Sequence, residues 1–134
     1  MKHSLIILIS LLLLSSPVIG NNHKGETLYR WGECCKEDYK WMGFGDVETN
    51  PVYGGQVKDG KPNGLGFLIS PDGWKYVGSW ENGKYQGQGK TIFSDGSKYV
   101  GEYKNGSMRN GTFYNKNGEI FMKFLNGKGK YVEQ

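Results

Sequence analysis

The chain has 134 residues and a net charge of +4, with 22 glycines and 19 aromatic side chains, and only two histidines. That length holds one small domain at most. Apolar content carried by Tyr, Trp and Phe and diluted by glycine suits a thin sheet better than a helix bundle.

Residues 1–20 read as a secretory signal peptide. Lys2 gives a positive start, Leu5 to Leu14 form an apolar run, and Ser15-Ser16-Pro17 breaks the helix before Gly20. The run is short for a membrane span. The expected location is therefore secreted, periplasmic or cell-envelope, the alternative being an anchor through an uncleaved N-terminus. Residues 21–50 form a polar tail followed by a cap segment. Alternation around Trp31 and Trp41 predicts one or two short strands. A second reading makes Trp31 and Trp41 an aromatic binding patch. Cys34 and Cys35 are adjacent and are the only cysteines. A disulfide between neighbours is strained, so free thiols, a vicinal bridge and a link to another chain all stay open.

From residue 51 to 134 the chain repeats. Tyr53, Tyr76 and Tyr99 are spaced by 23 residues, and the glycines keep the step: Gly60, Gly83 and Gly106; Gly64 and Gly87; Gly66 and Gly89; Gly73 and Gly96. Such a period marks a repeat array. Each unit reads as two strands and two turns. Tyr76, Gly78 and Trp80 share one face of the first strand, and Val77 and Ser79 the other. Asn82-Gly83 and Asp95-Gly96 predict tight hairpin turns with positive φ. Gly87 and Gly89 of the second strand are expected to lie beneath Tyr76 and Trp80, since glycine in a strand admits close approach. The fold class is all-β: an elongated antiparallel meander of stacked β-hairpins, preceded by the signal-peptide helix. The predicted repeat core is Tyr53, Gly55, Tyr76, Gly78, Trp80, Gly87, Gly89, Tyr99, Gly101 and Tyr103.

The pattern Tyr-x-Gly-x-aromatic-x-x-Gly, then Gly-x-Gly, then Asp-Gly resembles the MORN repeat. Tyr76 to Lys98 carries all of it. Val57 stands where an aromatic is usual, and the third unit, around Asn110-Gly111-Thr112, is one residue short. The degraded end, with Ile120, Met122 and Phe124, resembles a C-terminal cap. The resemblance implies a non-catalytic module for protein–protein contact, self-association or attachment at a membrane surface.

No catalytic constellation is present. His3 and His23 lie outside the repeats, so no histidine base, triad or histidine metal site can form there. Asp72 and Asp95 are explained by turns, and Gly-x-Gly is followed by no phosphate-loop Lys-Ser/Thr. No cofactor, metal or small-molecule substrate is indicated, and the export signal disfavours nucleic acid. Charge is uneven: residues 84–134 hold nine basic and four acidic side chains. Lys84, Lys90, Lys98, Lys104, Arg109 and Lys123 are the candidates for contact with an anionic surface. The rival function is a carbohydrate-binding module, which requires Trp80 and Tyr103 to be exposed.

Overall fold

The structure is a computed structural model that describes residues 25–32 and 39–133. Residues 1–20, read above as a signal peptide, and Cys34 and Cys35 lie outside the described residues. Ten strands follow in chain order: β1 (Glu26–Trp31), β2 (Lys40–Met42), β3 (Val52–Lys58), β4 (Lys61–Ile69), β5 (Lys75–Glu81), β6 (Lys84–Ile92), β7 (Lys98–Lys104), β8 (Ser107–Tyr114), β9 (Ile120–Leu125) and β10 (Lys128–Tyr131). They form one antiparallel sheet in the order β10-β9-β8-β7-β6-β5-β4-β3-β1-β2. From β3 onward it is a plain meander. Only β1 departs, lying between β3 and the short edge strand β2.

Two turn types alternate, where the sequence suggested one. At Asp59-Gly60, Asn82-Gly83, Asn105-Gly106 and Asn126-Gly127 both residues take positive φ, 54° and 81° at Asn82 and Gly83. These are two-residue hairpins of the kind whose twist matches the strands. At Asp95-Gly96 only the glycine is left-handed, with φ 88°. The reason is a loop one residue longer: Phe93 N–H donates to the Ser97 carbonyl at 2.9 Å and Gly96 N–H to the Phe93 carbonyl at 3.0 Å. In that geometry a turn of ordinary handedness is closed by one glycine. Asp95 instead accepts from Ser97 N–H at 2.9 Å and Ser97 Oγ–H at 2.6 Å. Those bonds, the hydroxyl first, hold its carboxyl below the usual carboxylate range.

The core is the inner face of the sheet. Tyr53, Tyr76, Tyr99, Leu68, Trp80 and Tyr103 are buried there. Each repeat tyrosine lies across a pair of facing glycines: Gly55 with Gly66, Gly78 with Gly89, Gly101 with Gly111. A Cβ on Gly66 would come within 2.4 Å of the Tyr53 ring, and one on Gly89 within 2.5 Å of the Tyr76 hydroxyl. Past each pair the register shifts. β6 uses four residues, from Gly89 back to Tyr85, where β5 uses two, from Gly78 to Trp80. The residue skipped on the first strand keeps a carbonyl free for the tyrosine. Tyr53, Tyr76 and Tyr99 hydroxyls donate to the carbonyls of Gln56, Ser79 and Glu102 at 2.6, 2.8 and 3.0 Å. This is why the position is tyrosine: the ring covers glycine and the hydroxyl satisfies the bulge. In the third unit β8 uses three residues, from Gly111 to Met108. The missing residue of that unit is therefore taken out of the bulge, and β6–β7 keeps its regular pairing, while β8–β9 carries a register shift of its own between Phe113 and Tyr114.

Gly87 does not lie under an aromatic ring. It sits inside the bulge with φ +88°, and a Cβ there would meet Ser79 Cβ at 3.4 Å. The bulge turns it away from the ring row, so a left-handed backbone explains the glycine.

The glycine pairs give a sharp contrast in stability. A Cβ on Gly78 would come within 2.5 Å of both the Gln88 carbonyl oxygen and the Gly89 Cα, whereas one on Gly43 meets nothing within 4 Å. Gly78→Ala is expected to cost about 2–3 kcal/mol through backbone displacement. Gly43→Ala is expected to stay within about 0.5 kcal/mol. Urea unfolding of the two variants checks both values; equal midpoints would contradict the close approach.

Candidate functional site

The sheet is one layer thick, so its two faces are separate surfaces. On the inner face the aromatic rings run continuously across the strands. Trp80 contacts Tyr53 at 5.1 Å, Tyr76 at 5.2 Å and Tyr85 at 4.6 Å between ring centroids. Tyr103 repeats the role one unit on, 5.1 Å from Tyr76 and 5.2 Å from Tyr99. The residue four after each repeat tyrosine thus joins its own unit to the one before. In the first unit this position is Val57. There Trp41 of β2 supplies a ring, 5.9 Å from both Tyr53 and Trp80. Trp80 is only 4% exposed and Tyr103 only 2%. Both are packing residues and lack the exposure that a glycan platform on them requires. Nor do Trp31 and Trp41 make one patch. Arg30 faces Trp41 and Trp31 faces Lys40 across the β1–β2 ladder, so the two indoles lie on opposite faces.

The inner face opens into a cleft of about 520 Å³ between the N-terminal strands and the first two full hairpins. Trp41, Trp74, Trp80, Tyr85 and Tyr103 line it, together with Arg30. The Arg30 guanidinium lies 5.4 Å from the Tyr39 ring centre and 5.7 Å from that of Trp74. Four buried polar atoms have no hydrogen-bond partner among the described residues: Arg30 Nε, Trp41 Nε1, Trp80 Nε1 and Tyr85 Oη. All four belong to residues that line this cleft. A buried donor without a partner costs about 1–3 kcal/mol, so their concentration at one place marks it as special. No spacing or motif pointed to Arg30 or Trp74, which meet only through the fold. Tyr85 was accessible to reasoning. It flanks the Asn82-Gly83 turn symmetrically with Trp80, and such cross-strand partners share a face.

The outer face is chemically different. Lys90 pairs with Val77 and Val100, Lys98 with Ile92 and Tyr114, and Lys123 with Thr112 and Lys130. Register places these side chains on the face opposite the tyrosines. Lys104 lies on the same face, beside a turn and opposite Ser107, whereas Lys84, opposite Glu81 beside the Asn82-Gly83 turn, also lines the inner-face cleft. Lys75, opposite Ile69 and Ile92, joins the outer-face lysines. Arg109 stands apart: it is within the bulge of β8 and partly buried. The same face carries exposed apolar groups. Leu65 is 66% exposed and Val77 52%, and Val100, Ile120 and Leu125 are also exposed. Glu81 and Glu102 are the acidic residues at outer-face positions of β5–β8. The Asn110 amide donates to Glu102 Oε2 at 3.1 Å.

The described residues contain no helix long and apolar enough to cross a membrane. No curated protein matches the chain. The MORN-repeat family model matches it three times in succession, at residues 53–75, 76–98 and 99–120. These are the three tyrosine-led hairpins whose glycine pairs and bulges are described above. Repeats of this family serve generally as protein- and membrane-interaction modules. Half of the chain is covered by those three matches, and the chain belongs to the MORN-repeat family.

Proposed function

We propose that the chain is a non-catalytic, exported interaction module that lies with its outer face on an anionic membrane surface. The observation that supports this reading is the composition of that face. Lys75, Lys90, Lys98, Lys104 and Lys123 share it with exposed Leu65, Val77 and Val100. A surface that combines basic and apolar groups suits the boundary between headgroups and acyl chains. Each lysine near an anionic leaflet contributes about 1 kcal/mol. Salt weakens that attraction, because the screening length is about 8 Å at physiological ionic strength. Export rests on the N-terminal apolar run.

Flotation of the purified protein with neutral and with anionic vesicles tests the reading. The native chain is expected to float with anionic vesicles at low salt and to be released at high salt. A triple variant, Lys90→Glu, Lys98→Glu and Lys123→Glu, shares the N-terminus and is expected to stay at the bottom. Equal flotation of the variant and the native chain would refute a role for this face. Absence of flotation under every condition would refute the membrane reading.

A further inference from the structure

The cleft of the inner face has no part in that membrane reading, and its chemistry points elsewhere. It is lined by indole and phenol rings, yet Arg30 and Lys84 also line it. No carboxylate lines it among the described residues. The Arg30 guanidinium lies over the rings of Tyr39 and Trp74, and its Nε has no acceptor among the described residues. Trp41 Nε1 and Trp80 Nε1 are two further N–H groups without an acceptor. The surplus is therefore one of donors and of positive charge, in a cleft with largely aromatic walls.

Such a set is complementary to an acceptor that carries negative charge and is attached to an apolar body. A cation would find aromatic faces but no counter-charge, and would be repelled by Arg30. A neutral sugar would meet rings but few of the carboxylate and amide groups that hold hydroxyls. Arg pairs best with a carboxylate, through two parallel N–H bonds. About 520 Å³ is the size of a small-ligand cleft. We propose that this cleft is a binding site for an apolar carboxylate, an aryl or alkyl acid whose carboxylate meets Arg30 and whose body lies among Trp41, Trp74 and Tyr85. The acid can be a free small molecule or the end of a peptide chain, since both present the same chemistry.

Three of the four tryptophans line the cleft, so intrinsic fluorescence reports on it. The probes are 2-naphthoate and its neutral isostere 2-naphthamide, titrated into the full protein. The expected result is saturable quenching by the acid, with an affinity at least tenfold above that of the amide. Arg30→Gln is expected to bring the acid down to the affinity of the amide, and Arg30→Lys to keep part of the preference. Lys90→Gln, on the other face, is expected to change nothing. A peptide ending in Phe with a free carboxylate, compared with its amidated form, separates the two sources. A carboxylate preference in either series supports the site. Equal affinity for acid and amide in both series, quenching that never saturates, or a preference that survives in folded Arg30→Gln would overturn it. If Arg30→Gln does not fold, the acid-to-amide ratio of the native chain and of Arg30→Lys still decides. Vesicle flotation is unaffected by any of these outcomes, so the two proposals fail separately.

Discussion

Trp80→Ala is expected to cost about 3–5 kcal/mol, the range for deleting a buried aromatic, and to separate the N-terminal strands from the rest of the array. The indole is 4% exposed and touches four rings: Trp41, Tyr53, Tyr76 and Tyr85. Those rings belong to β2, β3, β5 and β6. One side chain therefore carries the contact between the first repeat, the second repeat and the strands before them. In a repeat protein, stability is close to a sum of unit terms and interface terms. Loss of an interface term breaks cooperativity as well as lowering stability. The measurement is urea unfolding followed both by far-ultraviolet dichroism and by fluorescence of the remaining tryptophans. A single transition with a midpoint close to the native one would contradict this assignment. Tyr103→Ala, at the next interface, is expected to act in the same way between the second and third units.

Alkali is expected to unfold the protein cooperatively above about pH 10, the ordinary pKa of tyrosine. Burial pushes the hydroxyls of Tyr53, Tyr76, Tyr85 and Tyr99 up from that value, and takes Tyr103 to about 12. The neighbouring phenols add to the effect at Tyr76 and Tyr85, while the Thr91 hydroxyl bonded to Tyr103 opposes it. Below pH 10 these groups are protonated in both states, and their contribution is fully present. Above it the unfolded chain releases protons that the native chain retains. Stability then falls by about 1.4 kcal/mol per pH unit for each tyrosine held neutral. Several such groups remove a large part of a typical domain stability within one or two pH units. Tyrosinate absorbance should rise together with loss of the sheet signal. A gradual rise near pH 10 with the sheet intact would show that the hydroxyls are not held as described.

Much of this architecture is written in the sequence because the unit is local. The 23-residue step, the Asn-Gly turns and the tyrosine over glycine all lie within one hairpin or its neighbour, so spacing alone exposes them. What spacing hides is of two kinds. Gly87 and Gly89 look equivalent in the sequence, one residue apart from each other. A bulge between them puts one under Tyr76 and leaves the other at a left-handed corner. The second kind is contact between distant segments. β1 inserts beside β3 and leaves β2 at the edge, and this brings Arg30 to Trp74, 44 positions away, at 5.7 Å. No period in the chain encodes that meeting, and the aromatic cleft depends on it. The outer-face lysines fall in between. Alternation along each strand places Lys90 and Lys98, whereas Arg109 belongs to a bulge that only the register reveals.

The three bulges have one more effect. Each falls at the same point of its hairpin, just after the facing glycines, and each gives the second strand more residues than the first. A bulge bends its strand and adds twist. Repeated in the same sense, the bends add up rather than cancel. Length and curvature are therefore tied together in this design. By the same rule a chain with one more tyrosine-led unit would curl further as it grew, and a unit with a shorter bulge is expected to add less bend than one with the full bulge. The arc of the array is set by counting residues between Gly and Gly, and evolution can tune it by single-residue insertions without touching a side chain of the core.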